Sequence, residues 1–548
     1  MLCERKGFRS PQLSCCHLTH DQGISSINVR PNLPNTKMST PHIIHLANGR
    51  MKGDTDREQV RELIRHLMDH DGPGGAVIHF HGGLVGQAAG RKIAEDLDVV
   101  YREAGALPLF FVWEAGLLEV LKNNLGELAQ EMLFEILWKR IVAIVKRKAM
   151  QTIGMKSMNT LPPMDTAISD AAIELALQGV SLEGIKLDEL PAPENVDELG
   201  DKEQAALEAE LAFDFPLVTE IKKVSAGLLT PQEIEQQEGS KGAAPIRSST
   251  RSLMDPEAVE RYVERPNANA KGLISTAKFI AGVVKIAARC IKRFKKGRDH
   301  GLHATVVEEI LREFYVGNIG GTVWELMKKD TLDAFGPDPD VHGGTAFLTE
   351  LRDALPEDHA PVLTLVGHST GAIYIANLLE KAEQIFHDRP DVKFRVVFLA
   401  PAITFERCAR MVEEHGHRIS EIARPKLALR MFTMTDEMER KDRMLSVIYP
   451  HSLLYFVSGV IEKDDHGDKA IVGMERYYSD TRYPDDRFPE IVPFRRYIKG
   501  HDTSHDHHVV WSVVNADDGF SSSCESHGDF DNDPITRSSL KHLLKNGF

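Results

Sequence analysis

The amino-acid sequence predicts an α/β fold, in which a doubly wound, mostly parallel sheet carries a mostly helical insertion. Uninterrupted apolar runs, each long enough for one buried parallel strand, alternate along the chain with longer segments of helical periodicity. One long stretch between two of these runs, residues 119–335, shows mainly helical patterns. Alternation of this kind is typical of a parallel sheet with helices on both faces.

Length, charge and cysteine content narrow the class of protein. A chain of 548 residues exceeds one ordinary core, so we expect two domains or one domain with a large insertion. A net charge of −15 argues against a nucleic-acid partner, because phosphate contacts need a basic surface. Six cysteines without a close pairing pattern predict no disulfide framework, which favours a reducing, cytoplasmic location.

The N-terminal part of the chain divides into an extension and a first core segment. Residues 1–37 lack apolar periodicity and the apolar stretch of a secretory signal, so we predict a disordered extension. The first core segment, 38–118, alternates strands and helices. Strands are predicted at 39–46, 76–80 and 107–113, and helices at 54–70 and 88–104.

The insertion, 119–335, is predicted to form a helical cap over the active site, which we expect at the carboxyl ends of the sheet strands. It includes a disordered linker near 230–255, where Gln, Gly, Ser and Pro are frequent. A basic helix near 277–296 carries apolar residues on one face among lysines and arginines. We favour packing of that apolar face inside the cap. The alternative is peripheral contact of this helix with an anionic membrane surface.

The second core segment, 336–548, resumes the alternation. Strands are predicted at 362–366, 394–399, 426–434 and 508–514, and helices at 372–386, 405–415, 452–461 and 534–545. In a doubly wound sheet, ligands and chemistry gather at the carboxyl ends of the strands. Four candidates lie at such ends, namely His81-Gly82-Gly83, Ser369, Asp436 and His527.

The most informative motif is the elbow, Gly367-His368-Ser369-Thr370-Gly371, between a predicted strand and a predicted helix. Gly-x-Ser-x-Gly in this position is a turn so tight that its serine adopts strained dihedral angles. Both glycines are required, because a Cβ at either would collide across the turn. The turn lifts Ser369 Oγ out of the sheet edge and directs the backbone N–H of Thr370 toward the reacting centre. We assign His368 no catalytic role.

With these motifs the sequence resembles the α/β-hydrolase superfamily over 40–116 and 340–548. The resemblance implies that Ser369 is the nucleophile, His527 the base and Asp436 the carboxylate that orients it, in the chain order Ser, Asp, His. It also implies an oxyanion hole formed by backbone N–H groups of the following residues: Gly82, Gly83, Leu84 and Thr370. Two departures stand out. A helix joins the first two predicted strands, and the insertion precedes the elbow, so the substrate class is not inherited.

Other residues compete for these roles. Glu437, Asp442 and Glu406 also follow strands, but Asp436 stands directly at a strand end. The histidine-rich run 501–508 precedes its strand and is a poor source of the base; we interpret it as a solvated loop in preference to a metal site. We therefore predict no metal site and no cofactor.

Two classes of function remain open from the sequence. The first is a serine hydrolase that cleaves a carboxylic ester or thioester of a small molecule or lipid through an acyl-enzyme, as lipases and carboxylesterases do. An amidase or peptidase would use the same triad. The second class is a non-enzymatic scaffold that retains the hydrolase fold for interaction. A scaffold has no need of a triad and an oxyanion loop, so the sequence favours the hydrolase.

Overall fold

A computed structural model provides the structure of the protein. It describes residues 42–83, 85–114, 117–152, 198–227, 253–264, 273–316, 320–357, 360–421, 424–443, 448–462, 467–499 and 508–548. The predicted extension 1–37 and most of the predicted linker near 230–255 lie outside the described residues. Within the described ranges, no helix has both the length and the apolar character that crossing a membrane requires.

The fold is α/β, with a mostly parallel sheet of eight strands in the order β12-β11-β8-β7-β3-β4-β1-β2. Every neighbouring pair is parallel except β1 and β2. These strands are β1 (His42–Ala47), β2 (Arg50–Met51), β3 (Gly75–Phe80), β4 (Ala106–Trp113), β7 (Leu363–His368), β8 (Phe394–Leu399), β11 (Leu429–Met434) and β12 (Val509–Ser512). Two short antiparallel pairs stand apart, β5 (Val263–Glu264) with β6 (Leu273–Ile274) and β9 (Ser420–Glu421) with β10 (Arg424–Leu427).

Helices connect the strands and fill the insertion. In the two core segments they are α1 (Arg57–Met68), α2 (Gln87–Glu103), α11 (Gly343–Ala354), α12 (Gly371–Ile385), α13 (Phe405–His415), α14 (Asp436–Lys441), α15 (Leu453–Phe456), α16 (Val492–Lys499) and α17 (Pro534–Asn546). In the insertion they are α3 (Leu117–Leu128), α4 (Met132–Thr152), α5 (Asp201–Ala212), α6 (Phe215–Gly227), α7 (Pro256–Tyr262), α8 (Thr276–Lys296), α9 (Leu302–Phe314) and α10 (Thr322–Asp333).

The strand order reverses between β3 and β7. From β3 the chain moves to β4 on one side, whereas β7, β8, β11 and β12 follow one another on the other side. At such a switch point the two connections leave in opposite directions and open a crevice at the carboxyl ends of the strands. Here β3 runs into His81-Gly82-Gly83 and β7 into Ser369, so both motifs lie at the same crevice.

The predicted basic helix is α8, and its apolar face is packed inside the protein. Its buried residues include Phe279, Val283 and Ile286, and the helix packs against the insertion helices α4, α5 and α9. Two of its arginines are paired with carboxylates of α9, and Arg293 is itself buried. This agrees with the favoured interpretation of the helix. Contact of its exposed lysines with a membrane stays a prediction.

Two local features differ from the sequence interpretation. Asn48 and Gly49 adopt positive φ angles of 50° and 70° and close a hairpin between β1 and β2, before the predicted helix begins. An Asn-Gly pair is a strong hairpin signal, because this turn type needs positive φ at both central residues. The predicted strand 426–434 is divided at Ala428, where β10 leaves to pair with β9 while β11 joins the main sheet.

Candidate active site

Ser369 has the strained backbone that the elbow motif predicts. Its φ is +53°, in the left-handed region that non-glycine residues rarely adopt. The backbone N–H of Ser369 donates to the carbonyl of Leu399 at 2.8 Å, and its carbonyl accepts from the N–H of Ala402 at 3.0 Å. The last residue of β8 and the segment that follows it therefore bind both the backbone N–H and the backbone carbonyl of Ser369 and hold this conformation.

The two glycines of the elbow are required by close backbone contacts. A Cβ on Gly367 would lie 2.7 Å from the backbone carbonyl of Gly371, across the turn. A Cβ on Gly371 would lie 2.3 Å from the carbonyl oxygen of Phe80 on β3. A Cβ atom essentially never lies this close to a backbone atom, so β7, α12 and β3 can approach this closely only with glycine at both positions.

The structure brings Ser369 and His527 together. Nε2 of His527 lies 3.0 Å from Ser369 Oγ, and both side chains are buried. His527 belongs to the loop that follows β12, and this loop returns over the carboxyl end of β7. A serine hydroxyl within hydrogen-bond distance of an imidazole is the arrangement in which the ring can accept the hydroxyl proton.

Asp436 does not hydrogen-bond to His527. Its carboxylate accepts from the hydroxyl of Tyr455 and, at 3.0 Å, from Nε of Arg440. Burial raises the pKa of Asp436, but Arg476 and Arg440 more than offset this and hold it below its usual value. The predicted contact between Asp436 and His527 is therefore absent from this structure. The carboxylate lies in the first turn of α14 and is drawn to an arginine and tyrosine cluster instead.

Asp442, one of the rival acids, lies beside the base. Its Oδ2 accepts a hydrogen bond of 2.9 Å from the backbone N–H of His527. Nδ1 of His527 is buried and has no hydrogen-bond partner among the described residues. That nitrogen is where an orienting carboxylate acts in a serine triad. Sequence position favoured Asp436 because it follows β11 directly, but the short helix α14 carries the chain on to Asp442, which faces the His527 loop.

The glycine loop after β3 lies against the elbow. A Cβ on Gly82 would lie 3.2 Å from Cβ of Ser369, so the loop backbone reaches the nucleophile closely. The N–H of Gly83 donates to Thr370 Oγ1 at 2.6 Å, which fastens the loop to the elbow and occupies that amide. An oxyanion could use Gly83 only by displacing this hydroxyl. The backbone N–H of Thr370 follows the nucleophile directly at the start of α12, and Leu84 lies outside the described residues.

Helix α10 of the insertion covers the glycine loop. Sδ of Met327 would lie 2.0 Å from a Cβ built on Gly83, so this side chain packs directly on the loop backbone. Met327 is buried. The same helix is fastened to α12 by a hydrogen bond of 3.0 Å from Asn377 Nδ2 to Thr331 Oγ1. One insertion helix thus forms part of the wall beside Ser369.

Burial keeps the imidazole of His527 neutral. It lowers the pKa of His527 to about 3, assisted by the nearby His368, while Asp531 acts in the opposite direction. A neutral ring at neutral pH is the form that can accept the proton of Ser369.

His79 and His81 at the end of β3 are buried as well. His79 contacts the hydroxyl of Tyr101, and His81 donates from Nδ1 to the Gly82 carbonyl.

We expect acid to destabilise the protein between pH 7 and 5 through these buried histidines. Burial lowers the pKa of His527 and His79 to about 3 and that of His81 to about 4. The unfolded chain binds a proton at each position below about pH 6.5, whereas the folded chain does not. Stability is therefore full above that pH and falls below it by up to about 1.4 kcal/mol per pH unit for each histidine.

The measurement is the midpoint of thermal unfolding at pH 5, 6 and 7 for wild type and for His79→Asn. The midpoint of the variant should fall less steeply between pH 7 and 5, whatever its value at pH 7. The reason is that the variant lacks one imidazole that binds a proton only in the unfolded chain. Equal slopes for the two proteins would contradict the assignment for His79.

Comparison of the chain with models of protein families, with curated proteins and with solved structures gives no match. The assignment of function therefore depends on the geometry of the site alone.

Proposed function

We propose that the protein is a serine hydrolase of the α/β-hydrolase type that cleaves a carboxylic ester or thioester of a small molecule or lipid. One observation carries the proposal: Ser369, strained at φ +53° on a glycine-flanked turn, has its Oγ 3.0 Å from Nε2 of His527. Strain at a buried serine that faces a buried imidazole has no use in packing, but it presents an activated hydroxyl to a substrate.

The reaction follows from these two side chains. Nε2 of His527 accepts the hydroxyl proton as Ser369 Oγ attacks the carbonyl carbon, and the carbonyl oxygen becomes an oxyanion. The backbone N–H of Thr370 donates to this oxygen, and the N–H of Gly83 joins it once the oxyanion displaces Thr370 Oγ1. His527 then gives its proton to the departing alcohol or thiol, which leaves an acyl group on Ser369. Water, deprotonated by His527, attacks the acyl carbonyl carbon. The bond to Ser369 Oγ then breaks, His527 returns the proton to that oxygen, and a carboxylic acid leaves.

The carboxylate that assists His527 is Asp442 in this proposal, in place of Asp436. We expect Asp442→Asn to slow turnover at least about tenfold, because it removes the charge beside the His527 backbone. Asp436→Asn should change turnover per active site by less than about threefold, since its carboxylate is engaged by Tyr455 and Arg440.

The measurement is the turnover of an activated ester, with active sites titrated so that losses in folding do not enter the rates. A large loss in Asp436→Asn with none in Asp442→Asn would restore Asp436 as the orienting residue and overturn the reassignment.

The proposed function itself is tested by labelling with a fluorophosphonate probe, followed by hydrolysis of p-nitrophenyl esters of increasing acyl length. Covalent labelling at Ser369 together with ester turnover supports the proposal. Labelling with turnover of anilides in preference to esters would indicate an amidase or peptidase. Failure of wild type to label would favour the scaffold interpretation.

A further inference from the structure

A second histidine, His368, supports the main chain of the base. Its Nε2 lies 2.9 Å from the backbone carbonyl oxygen of His527. A carbonyl oxygen can only accept, so Nε2 of His368 must carry the hydrogen. The two imidazole rings lie near each other, with centroids 5.7 Å apart. Since Asp442 accepts from the backbone N–H of the same residue, both main-chain polar groups of His527 are held by side chains.

The other nitrogen of His368 faces a buried carboxylate. Nδ1 lies 3.5 Å from Oδ2 of Asp531, which follows His527 by four residues in the same loop. His368 is 5 % exposed and Asp531 is 1 % exposed. Apart from His368, no described residue hydrogen-bonds to either carboxylate oxygen of Asp531, so His368 is the group placed to compensate this buried charge.

Burial opposes the charged form of each member of this pair, and the opposite charge of its partner outweighs it. Burial lowers the pKa of His368, but Asp531 and the hydrogen bonds outweigh it, so the net pKa lies above the ordinary value. Burial raises the pKa of Asp531, but His368 more than offsets this and the net pKa is lowered. Asp529 adds a second negative charge near His368. The further titratable groups that interact with the pair are His79, His81, Tyr101, Cys524 and His527.

The consequence is a hydrogen bond whose donor is always present. A neutral imidazole carries one hydrogen, which can reside on either nitrogen, whereas an imidazolium carries one on each. Nδ1 of His368 faces the Asp531 carboxylate and Nε2 faces the His527 carbonyl oxygen, so the doubly protonated ring is the form that fits both acceptors. Without the carboxylate, the hydrogen can move to Nδ1, and two acceptors would then face each other.

We propose that His368 and Asp531 are positioning residues for the base: Asp531 keeps His368 doubly protonated, and His368 holds the His527 main chain so that Nε2 stays at Ser369. This inference rests on the proposed serine hydrolase function. A displacement of the base by about 1 Å is enough to cost two orders of magnitude in rate, so a fixed loop matters for catalysis.

The test uses a matched pair of amides at position 368 in the full chain. His368→Gln places an N–H donor where Nε2 stands, whereas His368→Asn places its amide at Nδ1 and cannot reach the His527 carbonyl. The readout is the second-order rate constant for fluorophosphonate labelling, with thermal unfolding recorded in parallel. We expect His368→Asn to label about 10- to 100-fold more slowly than wild type and His368→Gln to recover to within about threefold.

Asp531→Asn tests whether the carboxylate acts through His368. In the His368 background this change should slow labelling several-fold, because the donor is no longer assured. In the His368→Gln background it should have no effect, because the amide keeps its donor whatever the charge at position 531. A purely structural role for Asp531 would slow labelling equally in both backgrounds.

Each outcome decides the inference separately from the proposed function. If wild type does not label, the hydrolase proposal fails and the inference fails with it. If wild type labels but His368→Asn matches it, or His368→Gln is as slow as His368→Asn, the positioning role is wrong while the hydrolase proposal stands. Should His368→Asn not unfold cooperatively, the comparison of Asp531→Asn in the two other backgrounds still decides between the two roles.

Discussion

Ser369→Ala is expected to abolish covalent labelling by a fluorophosphonate and to reduce ester turnover by several orders of magnitude. The nucleophilic oxygen is lost outright, and only weak assistance from the backbone donors of the site survives. The free energy of unfolding should change by only about 1 kcal/mol, because the loss is one buried hydrogen bond to His527. Alanine keeps the Cβ that already fits the elbow, so no new collision arises at φ +53°.

The measurement is labelling and thermal unfolding of wild type and variant side by side. Ser479→Ala, at an exposed serine remote in sequence from the elbow, is the control and should label like wild type. A variant that still labels would place the nucleophile elsewhere in the chain. A variant that unfolds many degrees below wild type would show that Ser369 serves packing instead of chemistry.

Glu308→Gln is expected to lower the free energy of unfolding by about 3–5 kcal/mol, which is the largest effect on stability that we predict. Glu308 lies in α9 and is fully buried. Its carboxylate contacts Arg293 at 2.7 Å and accepts from Nδ1 of His300 at 2.7 Å and from the hydroxyl of Tyr449 at 2.6 Å. Neutralising the carboxylate leaves the buried Arg293 with one fewer countercharge, and the desolvation of that cation is then compensated less well.

Denaturant-induced unfolding measures this difference. Asp96→Asn is the matched control, because its partner Lys92 is one helical turn away on α2 and both side chains are partly or largely exposed. An exposed pair of this kind should contribute less than about 1 kcal/mol. A loss below about 1 kcal/mol in Glu308→Gln would mean that the helices of the insertion do not depend on this buried charge.

Much of the sheet could be predicted from the sequence, because each buried parallel strand is a short apolar run that has no other stable location. Phe394–Leu399 is both a predicted and an observed strand, with identical bounds. The elbow could also be predicted, because β7 and α12 can pack this closely against β3 only through a turn flanked by glycines. In these places, local composition and steric constraint determine the structure without help from distant residues.

The orienting carboxylate was not readable in the same way. The carboxylate of Asp436 is held by the hydroxyl of Tyr455, and the charge of Arg476 acts on it as well; both residues follow it in the chain by more than a helical turn. His368 and Asp531 were missed for a related reason, since the hydrogen bond that joins His368 to the His527 loop connects residues from opposite ends of the second core segment. In the sequence, only the position of Asp531, four residues after His527, pointed to this pair. Acidic residues are common in polar loops, so this position alone did not predict the contact.

The packing of Met327 on Gly83 has a consequence for how this protein can change over evolutionary time. Ser369 and His527, the proposed nucleophile and base, lie in segments where most substitutions would impair the proposed reaction. Met327 belongs to the insertion, whose length and composition are free of that constraint. Under the proposed function, mutations in the insertion can reshape the wall beside Ser369 without changing the residues that carry the reaction. Under the proposed function, selection for a different substrate can therefore act on the insertion, 119–335. Selection for the reaction itself acts on the two core segments.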